Sequence, residues 1–134
     1  MRKFKFSKSS LDNLKGVNLH LVRVVSRALE ITTIDFWVKD GLRTLQEQIA
    51  YKKKGTSKVT TTGRHLTGHA VDLHPVVDGH ILLDKDIPSI YFDKIADAMF
   101  QAAKELDIKI VWGGNWISIV DKYHFELDRN KYPA

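Results

Sequence analysis

Residues 64–74 read RHLTGHAVDLH, and the middle of that stretch sets what kind of molecule this is. From 69 to 73 the chain alternates, with His69, Val71 and Leu73 on one side and Ala70 and Asp72 on the other. A period of two marks a strand rather than a helix. With Val71 and Leu73 turned inward, Asp72 points to the opposite face of a sheet, where a carboxylate calls for solvent or a metal ion. Gly68 favours a loop running into this strand, so His65 and His69 do not share a helical face despite their i, i+4 spacing. Leu66 also stands where the H-E-x-x-H zinc helix needs its glutamate. The useful pair is instead His65 and Asp72, because a loop residue and a strand residue converge when the strand begins between them. His69 is the rival ligand, with a supporting or solvent-facing role as the alternative.

Around this strand the other elements fall into place. Leu21, Val24, Val25, Ala28 and Leu29 recur at helical spacing and predict an amphipathic helix over 18–31, with Arg23 and Arg27 outward. Residues 36–39, FWVK, form a short β-like run. Thr44 and Glu47 make a T-x-x-E capping box that opens a helix through about Lys54. The polar tract KKKGTSKVTTTG, residues 52–63, reads as a long surface loop, and its lysines 52, 53, 54 and 58 suit an anionic surface. Pro75 and Gly79 mark a loop after the 69–73 strand, which leaves His74 and His80 solvated; His20 is a surface residue of the first helix. Asp86 and Pro88 start a helix through about Leu106, with Ile95, Met99, Ala102 and Leu106 as its apolar face. IKIVW, 108–112, is a strand that Gly113 and Gly114 break, and KYHFE, 122–126, is the last strand. Helices placed early and centrally, with short strands between and after them, predict an α+β fold with a small, mainly antiparallel sheet flanked by helices.

The 134 residues suit a single domain. Apolar residues make up 43% and charged residues 28%, an ordinary globular mix that argues against disorder. The longest apolar runs fall far short of a membrane span, so stable membrane insertion is not expected. Cysteine is absent, which excludes thiolate ligands and leaves His, Asp and Glu to hold any metal. Twenty-one Lys and Arg against 16 Asp and Glu give a net charge of +5, suited to an anionic partner. The basic residues are scattered and carry no nucleic-acid motif, so nucleic acid is not the expected partner. The basic start MRKFKFSKSS lacks the apolar stretch of a secretory signal.

A second cluster, Asp121-Lys122-Tyr123-His124-Phe125-Glu126, completes the chemistry. On a strand His124 and Glu126 share one face, and Tyr123 and Phe125 the other, core-facing one. His124 is then the third member of a site with His65 and Asp72. Two histidines and one carboxylate on zinc, with one position left open, form a known catalytic donor set. Asp121, just ahead of the strand, is placed to act as a general base without being a ligand. Glu126 orients a histidine by hydrogen bond. Trp112 and Trp116 flank a Gly-Gly-Asn turn, and either one can line the cleft.

These motifs resemble those of the M15 family of zinc peptidases, which includes D-alanyl-D-alanine carboxypeptidases and dipeptidases and the L-alanyl-D-glutamate endopeptidases of phage endolysins. GRHLTGHAVDL is similar to the family's S-x-H-x-x-G-x-A-x-D motif, with His65, Gly68, Ala70 and Asp72 on the pattern and Gly63 at its serine position. That departure spares the ligands but removes a hydroxyl from the loop, for which Thr62 or Arg64 can compensate. DKYHFE resembles the second motif, an acidic residue three positions before the last ligand, and GLRT places Arg43 on the family's substrate-binding arginine. VWGGNW resembles the segment just before the second motif.

The resemblance covers the whole chain and is strongest to the compact endolysin branch. It implies the Hedgehog/D-Ala-D-Ala peptidase fold and Zn2+ held by His65, Asp72 and His124. It also implies Asp121 as catalytic base and then acid, and Arg43 stabilising the oxyanion or pairing with a substrate carboxylate. The implied substrate is the peptidoglycan stem peptide, cut at its L-alanyl-D-glutamate bond. Residues 1–134 would be one catalytic domain without a separate wall-binding module. The enzyme would be a monomer, made in the host cytoplasm and acting on the periplasmic wall after release. The alternatives are D-alanyl-D-alanine carboxypeptidase or dipeptidase activity, or a non-catalytic, metal-containing wall-binding module.

Overall fold

A computed structural model describes residues 4–42, 64–83, 86–117 and 120–133. Arg43, Thr62, Gly63, the capped helix expected from Thr44 to Lys54 and the basic tract 52–63 lie outside the described residues. The first element is a short helix, α1 (Lys8–Asn13), started by Ser7, whose hydroxyl accepts from the Ser10 amide. α2 (Leu19–Ile31) follows, and then β1 (Asp35–Asp40). A single 3-10 turn, Arg64–Thr67, leads into β2 (Ala70–Val77), which hairpins into β3 (His80–Ile81). The long α3 (Ser89–Leu106), β4 (Ile110–Trp112), a 3-10 turn at Gly113–Asn115 and β5 (His124–Leu127) complete the order.

The sheet runs β1-β2-β5-β4, with β3 on the far end of β2, and every pair is antiparallel. This is the small antiparallel α+β sheet expected. Its core face carries Phe36, Val38, Val71, Leu73, Phe125 and Leu127, all buried. The helices pack on that face through the predicted residues: Leu21, Val24, Val25, Ala28 and Leu29 of α2, and Ile95, Met99 and Ala102 of α3, with Leu106 half-buried at the rim. Each large side chain buried there contributes about 1.5–3 kcal/mol. Arg27 ties the outer surfaces of the two helices by a bidentate pair with Glu105, at 2.8 and 3.1 Å. Strand alternation leaves Asp72, His74, His124 and Glu126 on the opposite face.

Three details differ from the expectations. β2 does not stop at Leu73 but runs through Pro75 to Val77, which buries His74 instead of solvating it. Proline is tolerated because its edge faces the gap where β2 changes partner from β5 to β3; there only its carbonyl is used, accepting from Leu82 N at 2.9 Å. β4 starts at Ile110 because Asp107 closes α3 in a left-handed conformation and Ile108 N still bonds to Ala103 O. β5 starts at His124 because the Asp121 carboxylate accepts from Tyr123 N, folding residues 121–123 into a turn. Tyr123 is therefore half-buried rather than core, and its ring stacks on His74, 4.1 Å between centroids.

Candidate metal centre and catalytic cleft

Asp72 and His124 are directly opposed across the β2–β5 ladder. Since Val71 and Phe125 are fixed in the core, both side chains must emerge on the other face. His65 arrives from the 3-10 turn just before β2. Gly68 ends that turn at φ +74, and a Cβ there would lie 2.6 Å from the Gly16 carbonyl oxygen. The three side chains meet: His65 Nε2 is 3.3 Å and His124 Nδ1 is 3.4 Å from Asp72 Oδ1. The imidazoles stand edge to face, with centroids 5.2 Å apart.

The outer nitrogen of each ring is already committed. His65 Nδ1 donates to the Gly41 carbonyl at 2.9 Å, and His124 Nε2 donates to Glu126 Oε1 at 2.9 Å. A carbonyl and a carboxylate can only accept, so the nitrogens turned toward Asp72 are the ones left to bind a cation. The three donor atoms lie within 4.8 Å of one another. Donors about 2.0–2.2 Å from a shared ion at tetrahedral angles are about 3.3 Å apart, which matches the two separations to Asp72. The donor set therefore fits a divalent metal ion.

The electrostatics agree. Burial works against the charge on Asp72, but His65 and His124 overcome it and hold its carboxyl well below the usual range. Burial likewise opposes charge on His124, yet its bonds to Asp72 and Glu126 push it up to about 9. Without a metal, the cluster thus stores a proton between two carboxylates, where a metal ion would replace it. Asp121 shifts the opposite way from Asp72: burial, then the Asp72 charge, raises it, and His124, the Tyr123 amide and His65 oppose that only partly. A carboxyl poised above its ordinary range beside a cation site is suited to passing a proton.

The remaining expectations sort as follows. His69 stays out of the cluster; its Nδ1 pairs with Thr67 Oγ1 at 2.7 Å. His80 is exposed, and His20 is an exposed surface residue whose Nδ1 meets the Tyr132 hydroxyl at 2.6 Å. Trp116 lines the cleft, its ring centroid 5.0 Å from that of His124, whereas Trp112 stacks on Phe125 toward the core. Arg64 donates to the Leu127 and Tyr132 carbonyls at 3.1 and 2.8 Å and lies 3.8 Å from Glu126. It thereby braces the His65 turn against β5.

Gly41 was not singled out by the sequence. A Cβ there would sit 2.1 Å from the Asn13 carbonyl oxygen, so only glycine allows the backbone approach that aims its carbonyl at His65. A glycine directly after a strand was the available signal, but its partner is far away in sequence.

Comparison with known proteins bears on what this cleft does. A family model described as phage L-alanyl-D-glutamate peptidase matches residues 2–134. The L-alanyl-D-glutamate peptidase of Escherichia phage T5 is 36% identical over 131 residues, which covers 96% of this chain and 93% of that protein. The crystal structure of the Serratia marcescens L-Ala D-Glu endopeptidase ChiX is similar at a TM-score of 0.85 and 39% identity, covering 98% of this chain and 96% of that one.

Proposed function

The chain belongs to the phage L-alanyl-D-glutamate peptidase family, and from that premise we propose how its cleft carries out endolysin-type hydrolysis of peptidoglycan. The bond cut is the L-alanyl-D-glutamate amide of the stem peptide. The observation that carries the assignment is the convergence of His65, Asp72 and His124 within 4.8 Å, with Asp121 beside them.

His65 Nε2, His124 Nδ1 and an Asp72 oxygen are the ligands, and Zn2+ is the ion this N/O set suits, as in the M15 peptidases. When bound, the ion polarises the scissile carbonyl and acidifies water near it. The chain's own residues do the rest. Gly41 and Glu126 hold the two imidazoles in the tautomers that face inward. Asp121 accepts the proton of the attacking water and then delivers it to the departing amine, so it ends the cycle as it began. Arg43, two residues beyond Gly41 in the chain, stabilises the developing oxyanion or pairs with a substrate carboxylate. Trp116 walls one side of the cleft against solvent.

Residues 1–134 act as one catalytic domain and as a monomer. Among the described residues, no helix is long and apolar enough to cross a membrane. The site of action is the periplasmic wall, reached after synthesis in the host cytoplasm.

Mass spectrometry of fragments released from purified Gram-negative sacculi tests this reading. New L-Ala C-termini and D-Glu N-termini should appear with zinc and vanish with a chelator. Free D-Ala as the only product would move the cut to the D-alanyl-D-alanine bond. A folded, zinc-loaded protein that releases nothing would overturn the peptidase reading.

A further inference from the structure

We propose that the cavity beside Asp121 receives the residue on the leaving side of the cut, and that Lys122 in its wall binds that residue's free carboxylate. The inference rests on the peptidase reading above. The cavity has a volume of about 300 Å3 and is lined by Ile87, Phe92, Val120, Asp121, Lys122 and Tyr123. Ile87, Phe92 and Val120 give it an apolar wall, and Tyr123 with two adjacent charged residues, Asp121 and Lys122, gives it a polar one. The aromatic wall is fixed, because Tyr123 stacks on the buried His74 and meets Phe92 edge to face at 5.0 Å.

Lys122 is held at both ends. Its carbonyl accepts from Trp112 Nε1 at 2.9 Å, and its ammonium donates to Ser89 Oγ at 2.7 Å. An ammonium has three hydrogens. Ser89 takes one, so the head is positioned with donors to spare.

Proton delivery fixes which side of the substrate lies here. To protonate the departing nitrogen, Asp121 must come within hydrogen-bond reach of it. The residue that owns this nitrogen then has its own substituents in the cavity that Asp121 lines. In an L-alanyl-D-glutamate bond that residue is D-glutamate. A glutamyl residue passes the chain onward through one carboxyl and keeps the other free. Close to the Asp121 carboxylate such an anion is repelled unless a cation sits with it, and Lys122 supplies that cation. A neutral carboxamide at the same place gains far less from the ammonium, so the cavity selects for the acid.

Two synthetic stem peptides test this. They differ only in that the free glutamyl carboxylate of one is a carboxamide in the other. Wild type, Lys122→Met and Lys122→Arg, matched for zinc content and circular dichroism, are assayed for cleavage of both. Wild type should prefer the acid by on the order of tenfold or more in kcat/KM, mostly through KM. Lys122→Met should bring that ratio toward one, and Lys122→Arg should keep it. The inference falls if wild type cuts both peptides equally, or if Lys122→Met keeps the full preference. It also falls if Lys122→Met slows both peptides alike with a moved acid limb, because Lys122 then acts on Asp121 and not on substrate. Zinc-loaded wild type that cuts neither peptide overturns the peptidase reading, and this inference with it.

Discussion

Asp121 and His124 lie three positions apart and are shifted for different reasons, which separates their roles experimentally. Asp121 is raised by burial and by Asp72, and it stands outside the His65, Asp72 and His124 group that could hold a metal. Asp121→Asn keeps its shape but cannot take a proton. It should lower kcat by about 10^2–10^4 while the protein still binds zinc stoichiometrically in a titration. Loss of zinc together with activity would make Asp121 structural. His124 is pushed up to about 9 by Asp72 and Glu126 in the metal-free protein. A raised histidine contributes stability that is complete below its unfolded pKa of about 6.5 and lost as pH rises through its folded value. The melting temperature of chelated protein should therefore fall between about pH 7 and pH 9, whereas zinc-loaded protein, whose His124 is already neutral, lacks that loss. Calorimetry of both forms across this range checks it. The carboxylates work on the other side: Asp72 and Glu126 are lowered, so their contribution is present above the ordinary carboxylate range and is lost in acid.

At the scale of elements, the residues legible in sequence were those whose position follows from a local period. Val71 and Leu73 facing the core forced Asp72 outward, and Phe125 did the same for His124, so two members of the site could be placed from alternation alone. The faces of α2 and α3 were legible for the same reason. What escaped was long-range or a matter of partners. Pro75 looked like a strand terminator because nothing local reveals that β2 changes neighbours there. Tyr123 reads as a strand residue because its alternation with Phe125 does not reveal that the Asp121 side chain takes its amide. Gly41 looked ordinary because the atom that excludes a side chain belongs to Asn13, on another element. Its role makes a sharp test. Gly41→Ala should cost about 1–3 kcal/mol of stability through the forced shift. It should also weaken zinc binding, because the carbonyl that holds His65 moves with it. Denaturant unfolding and a competitive zinc titration read the two effects, and unchanged affinity would remove Gly41 from the site.

At the scale of the molecule, the charge of +5 is expected to act on the wall and not on the bond. Long-range attraction between a basic protein and an anionic polymer is screened within about 8–10 Å at physiological salt, whereas contacts inside the cleft are screened far less. Turnover of intact sacculi should therefore fall as salt rises from about 0.05 to 0.5 M, while cleavage of a short soluble stem peptide changes little. Equal salt sensitivity of the two substrates would place the effect in the cleft.

The opposition of Asp72 and His124 across one ladder also governs when the protein becomes an enzyme at all. Sliding β5 by a single residue along β2 would send His124 to the helical side and bring Phe125 out in its place. A molecule paired one step wrong has no two-strand half of its site and is chemically silent. Competence thus depends on the same hydrogen-bond register that completes the sheet. Uptake of a coloured ion such as cobalt during refolding would report the moment of correct pairing.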